Sequence, residues 1–117
     1  MSSRVTYRLR WTSDAIRDMH VLQEIDARLV DAAGLIADQV AGRHQEGKLL
    51  GDRESSGDLT DYYRIRFDLP GQWPQRFRLI YDKPTQDTIR VIAVGERLGR
   101  AVYREASERA QAERSAD

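Results

Sequence analysis

Residues 59–82 read LTDYYRIRFDLPGQWPQRFRLIYD, and this stretch decides the fold of the chain. Apolar and polar side chains alternate on both sides of a turn that contains two prolines and a glycine. Alternation with a period of two is typical of a β-strand with one buried face, and proline and glycine interrupt strands. The stretch therefore predicts two strands, over 59–68 and 75–82, joined by a turn at 69–74.

Arginine occupies alternate positions in both predicted strands. Side chains at i and i+2 share a face, so Arg64 and Arg66 lie on the same side of one strand, as do Arg76 and Arg78 on the next. If the strands pair across the turn, four guanidinium groups line one face of the sheet. The opposite face is apolar and is expected to pack on helices, through Tyr63, Ile65, Phe67, Phe77, Leu79 and Tyr81.

The N-terminal third of the chain predicts a strand and two helices. Residues 5–11 alternate as a strand, and Thr12 or Ser13 is a good N-cap for a short amphipathic helix. Apolar residues at spacings of three and four then indicate a second helix over 25–40, which ends at Gly42.

The remaining segments predict loops, one more strand and a last helix. Residues 51–58 are typical of a polar loop, and 83–87 of a turn. Residues 88–94 are apolar and mostly β-branched, as in a strand covered on both faces. From residue 98 onward the pattern indicates a terminal helix that frays into a polar tail over 110–117.

These elements predict a single α+β domain over 1–117 with the order β-α-α-β-β-β-α. Short turns between the last three strands favour antiparallel pairing. The two N-terminal helices are expected on one face of a curved, mainly antiparallel sheet, with a C-terminal helix after it.

Charge is unevenly distributed along the 117 residues. The whole chain has 19 basic and 19 acidic side chains, but residues 59–104 carry nine basic and five acidic ones. Eight of those nine are arginine, whose planar donor fork suits phosphate. The local excess leaves a nucleic-acid partner open, but the pattern equally fits a solvated face where Asp61, Asp68 or Glu96 pairs with the arginines.

Other residue types limit the chemistry. The chain has no cysteine, and its two histidines, His20 and His44, lack a metal-ligand spacing, so we expect neither metal nor cofactor. We predict surface positions rather than catalytic roles for both histidines, and packing roles for Trp11 and Trp73. The sequence has no apolar run of membrane-spanning length, so we expect a cytoplasmic protein without a membrane partner.

Three segments, in this order, resemble the RelE/ParE toxin superfamily and, within it, the RelE-like mRNA interferases. They are Lys48-Leu-Leu-Gly51 leading to Tyr63-Arg-Ile-Arg66, then Arg76-Phe-Arg-Leu-Ile-Tyr81, and then 89–109, which reads IRVIAVGERLGRAVYREASER. The third segment is similar to the family's strand, Val-Gly-x-Arg turn and Val-Tyr helix. The resemblance covers about residues 5–110, and it implies a RelE-like fold.

The resemblance also implies a function and a set of catalytic residues. RelE-like proteins are toxins of type II toxin–antitoxin systems that cleave messenger RNA in the ribosomal A site, through attack of a ribose 2′-hydroxyl on the adjacent phosphate. The family's two basic positions on one strand match Arg64 and Arg66, and its arginine on the next strand matches Arg78. Its arginine after the Val-Gly turn matches Arg97, and its following tyrosine matches Tyr103. Arg78 and Arg97 would clamp the phosphate, and Tyr103 would stack on a base.

Further residues and partners complete the prediction. We expect Lys48, Arg76 and Arg100 to bind RNA, and we expect messenger RNA, the 70S ribosome and a cognate antitoxin as partners, the last in a hetero-oligomer. One alternative is a ParE-like toxin that inhibits DNA gyrase without being an enzyme. Another is an inactive relative that only binds an antitoxin. The joint presence of four arginines and Tyr103 at the matched positions favours the nuclease.

Overall fold

The computed structural model describes residues 6–53 and 57–115. Its elements are β1 (Arg8–Trp11), α1 (Ser13–Ile25), α2 (Ala27–Ala41), β2 (Lys48–Leu49), β3 (Asp52–Arg53), β4 (Gly57–Asp58), β5 (Tyr62–Phe67), β6 (Phe77–Thr85), β7 (Thr88–Glu96), a 3₁₀ turn (Leu98–Arg100) and α3 (Ala101–Arg114). The predicted order is confirmed, with three two-residue strands added between α2 and β5. The predicted start of the first strand, at residue 5, lies outside the described residues.

Five strands form one mixed sheet in the order β1-β7-β6-β5-β2. β1 runs parallel to β7, and the other neighbours are antiparallel. The predicted α+β class and the mainly antiparallel sheet are therefore confirmed. Within the described ranges, no helix is both long enough and apolar enough to cross a membrane.

Polar side chains begin both N-terminal helices. The hydroxyl of Thr12, one of the two predicted caps, accepts a hydrogen bond from the Ala15 amide (3.1 Å), which satisfies a donor in the first turn of α1. Helix α1 ends just before Asp26, whose carboxylate accepts a hydrogen bond from the Arg28 amide (2.9 Å) and caps the start of α2. The two helices therefore form a hairpin, which packs on the sheet.

The apolar face predicted for β5 and β6 packs on α1 and α2. Five of its six side chains are buried there with Leu22, Leu29 and Ala33, and the sixth is partly buried: Ile65, Phe67, Phe77, Leu79 and Tyr81, with Tyr63 at the margin. This prediction is confirmed. It follows that Arg64, Arg66 and Arg78, of opposite parity, belong to the other face.

Helix α3 covers part of that other face. Val102, Tyr103, Ala106 and Ala110 are buried against sheet residues that include Ile80 and Ile92. The sheet therefore lies between two helical layers, and α3 forms a wall beside the arginines.

Two predicted loops contain more β-structure than expected. The described ends of the segment 51–58 form an antiparallel pair, β3 with β4, instead of a loop. The turn predicted at 83–87 is present but shorter, at 86–87, because β6 continues to Thr85. Pro84 is tolerated in this strand since the β6–β7 ladder shifts register between Asp82 and Thr85, and a proline at such an irregularity loses no ladder hydrogen bond.

The predicted fraying at residue 110 is wrong as well. Helix α3 continues to Arg114, with Ala110 buried in the core. Glu113 pairs with Arg90 of β7 (3.0 Å), and Arg114 pairs with Asp58 of β4 (3.3 Å). These two ion pairs hold the last turns of α3 against β7 and β4. Composition alone predicts that the same residues form an exposed polar tail.

Asp68 closes the turn between β5 and β6. Its carboxylate accepts from the Leu69 amide (2.7 Å), from the Arg76 amide (3.0 Å) and from two nitrogens of the Arg76 guanidinium (2.8 and 2.9 Å). The Arg76 guanidinium is the main reason that the pKa of Asp68 falls from 3.8 to about 2. The carboxylate is therefore ionised in the folded protein even in mild acid.

We expect Asp68→Asn to destabilise the protein at pH 7 by about 1–2 kcal/mol, less than the full pKa shift implies, because Arg76 is half exposed. The pKa of Asp68 is lowered on folding, so its stabilisation is complete above about pH 4 and is lost as pH falls toward 2. Urea unfolding of both proteins should therefore show a stability difference that narrows over that interval. The other acidic residues titrate in both proteins, so their contributions cancel in the difference between the two unfolding free energies. A difference that is constant with pH would contradict the assignment.

Candidate active site

An open cleft of about 280 Å³ lies where β2, β5, β6 and the segment between β7 and α3 meet. Six cationic side chains and Tyr103 line it, and we call it the arginine cleft: Lys48, Arg64, Arg66, Arg78, Arg97 and Arg100. The structure thus brings together seven of the eight residues predicted for the site. The eighth, Arg76, lies elsewhere.

The strand register places like charges directly opposite each other. Arg66 is the β5 partner of Arg78 on β6, and Arg64 is the β5 partner of Lys48 on β2. Like charges at such positions destabilise a sheet. Several cationic side chains on one concave surface are typical of an anion-binding site.

Arg78 is the buried member of the cleft, with 5% of its surface exposed. Its Nε donates to the Tyr103 hydroxyl (3.2 Å), and its terminal nitrogen donates to the carbonyls of Gln75 (3.0 Å) and Phe77 (2.9 Å). These three hydrogen bonds hold the guanidinium plane in one orientation. A cation fixed in this way needs no reorganisation to meet a developing negative charge.

The surroundings of Arg78 disfavour its charge in the absence of an anion. Burial lowers the pKa of the guanidinium, and the neighbouring cations Arg66 and Arg97 lower it further, while the hydrogen bond with Tyr103 raises it. Arginine still keeps its proton at neutral pH. An anion in the cleft would offset both the desolvation and the repulsion.

The described residues that line the cleft include neither a carboxylate nor an imidazole. Among residues 6–53 and 57–115, Arg66, Arg78 and Arg97 form no ion pair with Asp or Glu. The same part of the chain contains no group of three His, Asp or Glu side chains that could hold a metal ion. Both histidines are exposed, and neither lines the cleft.

A tight segment after β7 brings two of the arginines to the cleft. The Arg97 amide donates to the Arg76 carbonyl (2.8 Å), and the Arg100 amide donates to the Arg97 carbonyl (2.8 Å). Gly99 (φ 65°) and Arg100 (φ 59°) both adopt left-handed backbone, which is uncommon for a residue with a side chain. Glycine makes the turn possible, and the strained conformation of Arg100 sets its guanidinium over the Tyr103 ring, 4.7 Å from the centroid.

Tyr103 differs from its prediction. The ring, expected to stack on an RNA base, is only 6% exposed and lies on the inner face of α3, with Arg100 across it. Only the hydroxyl group has a clear role at the cleft, as the acceptor for Arg78. Sequence spacing does not show which face of α3 meets the sheet, so it does not reveal that the ring is covered.

Arg76 also differs from its prediction. It precedes β6, and Asp68 holds it by a two-pronged ion pair outside the arginine cleft, so four guanidinium groups do not line one face. Trp73, expected to pack, is 78% exposed in the turn before Arg76, whereas Trp11 packs against the core as expected.

Comparison with known proteins gives independent support for the fold. No family model matches it, and no curated protein sequence matches it significantly. The structure is similar to a chain in the crystal structure of the toxin–antitoxin complex RelBE2 from Mycobacterium tuberculosis. The match covers 83% of this chain and 98% of that chain, with a TM-score of 0.57 and 25% sequence identity.

The mixed sheet between two helical layers and the similarity to the RelBE2 chain define a RelE-like α+β fold. The predicted resemblance to a RelE-like toxin is therefore confirmed at the level of the fold. The catalytic and RNA-binding roles of the cleft residues stay predictions.

Proposed function

We propose that this chain is the toxin of a type II toxin–antitoxin system and a ribosome-dependent messenger RNA endoribonuclease. The observation that carries the proposal is the arginine cleft, on which six cationic side chains converge and whose described lining has an excess of positive charge. Such a surface suits a polyanion. The toxin–antitoxin complex among its structural neighbours supports the same class of protein.

The proposed reaction needs stabilisation of negative charge on a phosphate. The ribose 2′-oxygen attacks the adjacent phosphorus and loses its proton, the bond from phosphorus to the 5′-oxygen breaks, and that oxygen gains a proton. The products are a 2′,3′-cyclic phosphate and a free 5′-hydroxyl. Negative charge accumulates on the non-bridging oxygens, where Arg78 and Arg97 would donate hydrogen bonds. Arg78 is already held in place for this by Tyr103 and two carbonyls.

The other cations would hold the RNA strand. Lys48, Arg64, Arg66 and Arg100 line the same cleft and can contact phosphates on either side of the cut. Guanidinium groups hold their protons too tightly to act as general bases. The chain is therefore equipped to position and stabilise the phosphate, and alignment of the 2′-hydroxyl would depend on how the ribosome presents the codon.

The expected test result is cleavage of messenger RNA on programmed ribosomes and little cleavage of the same RNA in free solution. The fragments should carry a 2′,3′-cyclic phosphate and a 5′-hydroxyl, as read by end-specific ligation. A single 2′-deoxy substitution at the attacking nucleotide should abolish the cut. Intact messenger RNA together with DNA breaks after induction would favour gyrase inhibition instead.

The proposal includes a protein antitoxin. An acidic segment that folds over the arginine cleft would neutralise its charges and exclude RNA. This gives a simple control for the cleavage experiment, since added antitoxin should stop cleavage without altering the ribosomes.

A further inference from the structure

A second recess, of about 300 Å³, adjoins the arginine cleft and shares Arg97 with it. Its walls come from the turn before β6 and from the end of β7, and we call it the Leu98 recess: Pro74, Gln75, Arg76, Glu96, Arg97 and Leu98. Leu98 is 81% exposed at its edge. The functions proposed for the cleft do not account for an exposed leucine next to a catalytic arginine.

Arg76 presents a fixed, flat group in this recess. Two of its guanidinium nitrogens donate to the two oxygens of Asp68 (2.8 and 2.9 Å), so the fork cannot rotate freely. Its central carbon lies 5.2 Å from the centroid of the Phe77 ring. The guanidinium therefore lies over the Phe77 ring, while the Arg76 side chain as a whole stays half exposed. Nucleobases stack on guanidinium planes of this kind.

The charges of the recess favour a base over a phosphate. Asp68 balances the charge of Arg76, and Glu96 adds a carboxylate to the wall, which would repel an anion. Pro74 and Leu98 offer apolar contact to a flat neutral ring. Gln75 and Glu96 can accept hydrogen bonds from the edge of a base.

We propose that the Leu98 recess binds one of the two nucleobases next to the scissile phosphate, stacked on the guanidinium of Arg76. The inference rests on the proposed endoribonuclease function, since the phosphate is held at Arg97 while the base enters the recess beside it. It gives Arg76 a role in RNA binding that depends on its plane and not on its charge. It also places the base contact outside Tyr103, whose ring is covered.

The test measures the affinity of the full chain for a short fluorescent single-stranded RNA with 2′-O-methyl riboses, which cannot be cleaved. The RNA is used intact or with one abasic nucleotide at each position in turn. Loss of the stacked base should weaken binding to the wild type about 10-fold at one position, because the stacking contact is lost with the base. In Arg76→Lys, which keeps the charge but loses the plane, the same position should matter less than about twofold.

Leu98→Ser provides an independent variant, because Leu98 is exposed and its loss leaves the Asp68–Arg76 pair intact. It should also reduce the abasic effect, and it decides the matter if Arg76→Lys proves unstable in thermal unfolding. Arg17→Lys on α1 and Leu35→Ser on α2 are matched controls at exposed positions away from both recesses, and both should behave like the wild type.

The outcomes distinguish a failure of this inference from a failure of the proposed function. Equal binding of intact and abasic RNA by a wild type that cleaves messenger RNA on ribosomes would overturn the inference alone. Equal weakening of both RNAs by Arg76→Lys would also overturn it, since Arg76 would then act only through its charge. A wild type that neither binds this RNA nor cleaves on ribosomes would remove both.

Discussion

Arg97→Ala is expected to lower ribosome-dependent cleavage by about 100-fold or more, because it removes one of the two donors proposed to stabilise the developing phosphate charge. Little stability should be lost. Arg97 is exposed between β7 and α3, and within the described residues its side chain forms no hydrogen bond or ion pair. The turn itself is held by backbone hydrogen bonds from the Arg97 and Arg100 amides, which alanine retains. Single-turnover cleavage on programmed ribosomes measures the effect.

Two further variants define the origin of that loss. Arg97→Lys keeps the positive charge but not the planar fork, so we expect it to recover only part of the activity, about 10-fold below the wild type. Arg10→Ala removes an exposed arginine from β1, at the opposite edge of the sheet, and should cleave normally. A folded Arg97→Ala protein with full activity would eliminate the proposed phosphate clamp.

The positions of the cleft arginines follow from the sequence because strand periodicity is a local property. Once Ile65, Phe67 and Leu79 are assigned to the core, Arg64, Arg66 and Arg78 must lie on the other face. Pairing of the two strands as a hairpin then brings Arg66 opposite Arg78. No knowledge of distant contacts is needed for this step.

Arg76 shows where such reasoning ends. It has the same parity as Arg78, but it precedes β6, where the chain turns toward Asp68. Asp68 is one of three carboxylates that could pair with an arginine, and the sequence does not show which of the three does so. The choice depends on the path of the 69–74 turn in space. The prolines and the glycine indicate that the chain turns here, but they do not determine the path that it takes.

The position of α3 is a second feature that local pattern does not reveal. The face of α3 that meets the sheet has few large apolar side chains, since two of its four buried residues are alanines. The polar residues around them suggest an exposed tail. The tail is fixed instead by distant partners, since Arg90 holds Glu113 and Asp58 holds Arg114. This docking buries Tyr103 and turns its hydroxyl, not its ring, toward the arginine cleft.

Tyr103→Phe tests that reversal of roles. The substitution keeps the ring and removes only the acceptor for Arg78, a hydrogen bond to a charged group in a buried site. We expect cleavage to fall about 10-fold and the free energy of unfolding to fall by about 1–2 kcal/mol, because the buried guanidinium loses a partner. A ring that stacks on RNA would give the opposite result, since phenylalanine stacks as well as tyrosine and activity would be unchanged.

Tyr103→Ala removes the ring as well and is expected to cost about 3–5 kcal/mol of stability through the cavity left beneath α3. Its loss of activity therefore cannot distinguish a positioning role from a fold defect, whereas the phenylalanine variant can. Tyr62→Phe is the matched control, because Tyr62 is buried in the same core but does not line the cleft. Single-turnover cleavage should therefore fall for Tyr103→Phe and stay at the wild-type level for Tyr62→Phe, and urea unfolding of both variants measures the accompanying change in stability. Full activity of that variant would mean that Arg78 is held well enough by the Gln75 and Phe77 carbonyls, and that the hydroxyl has no part in the site.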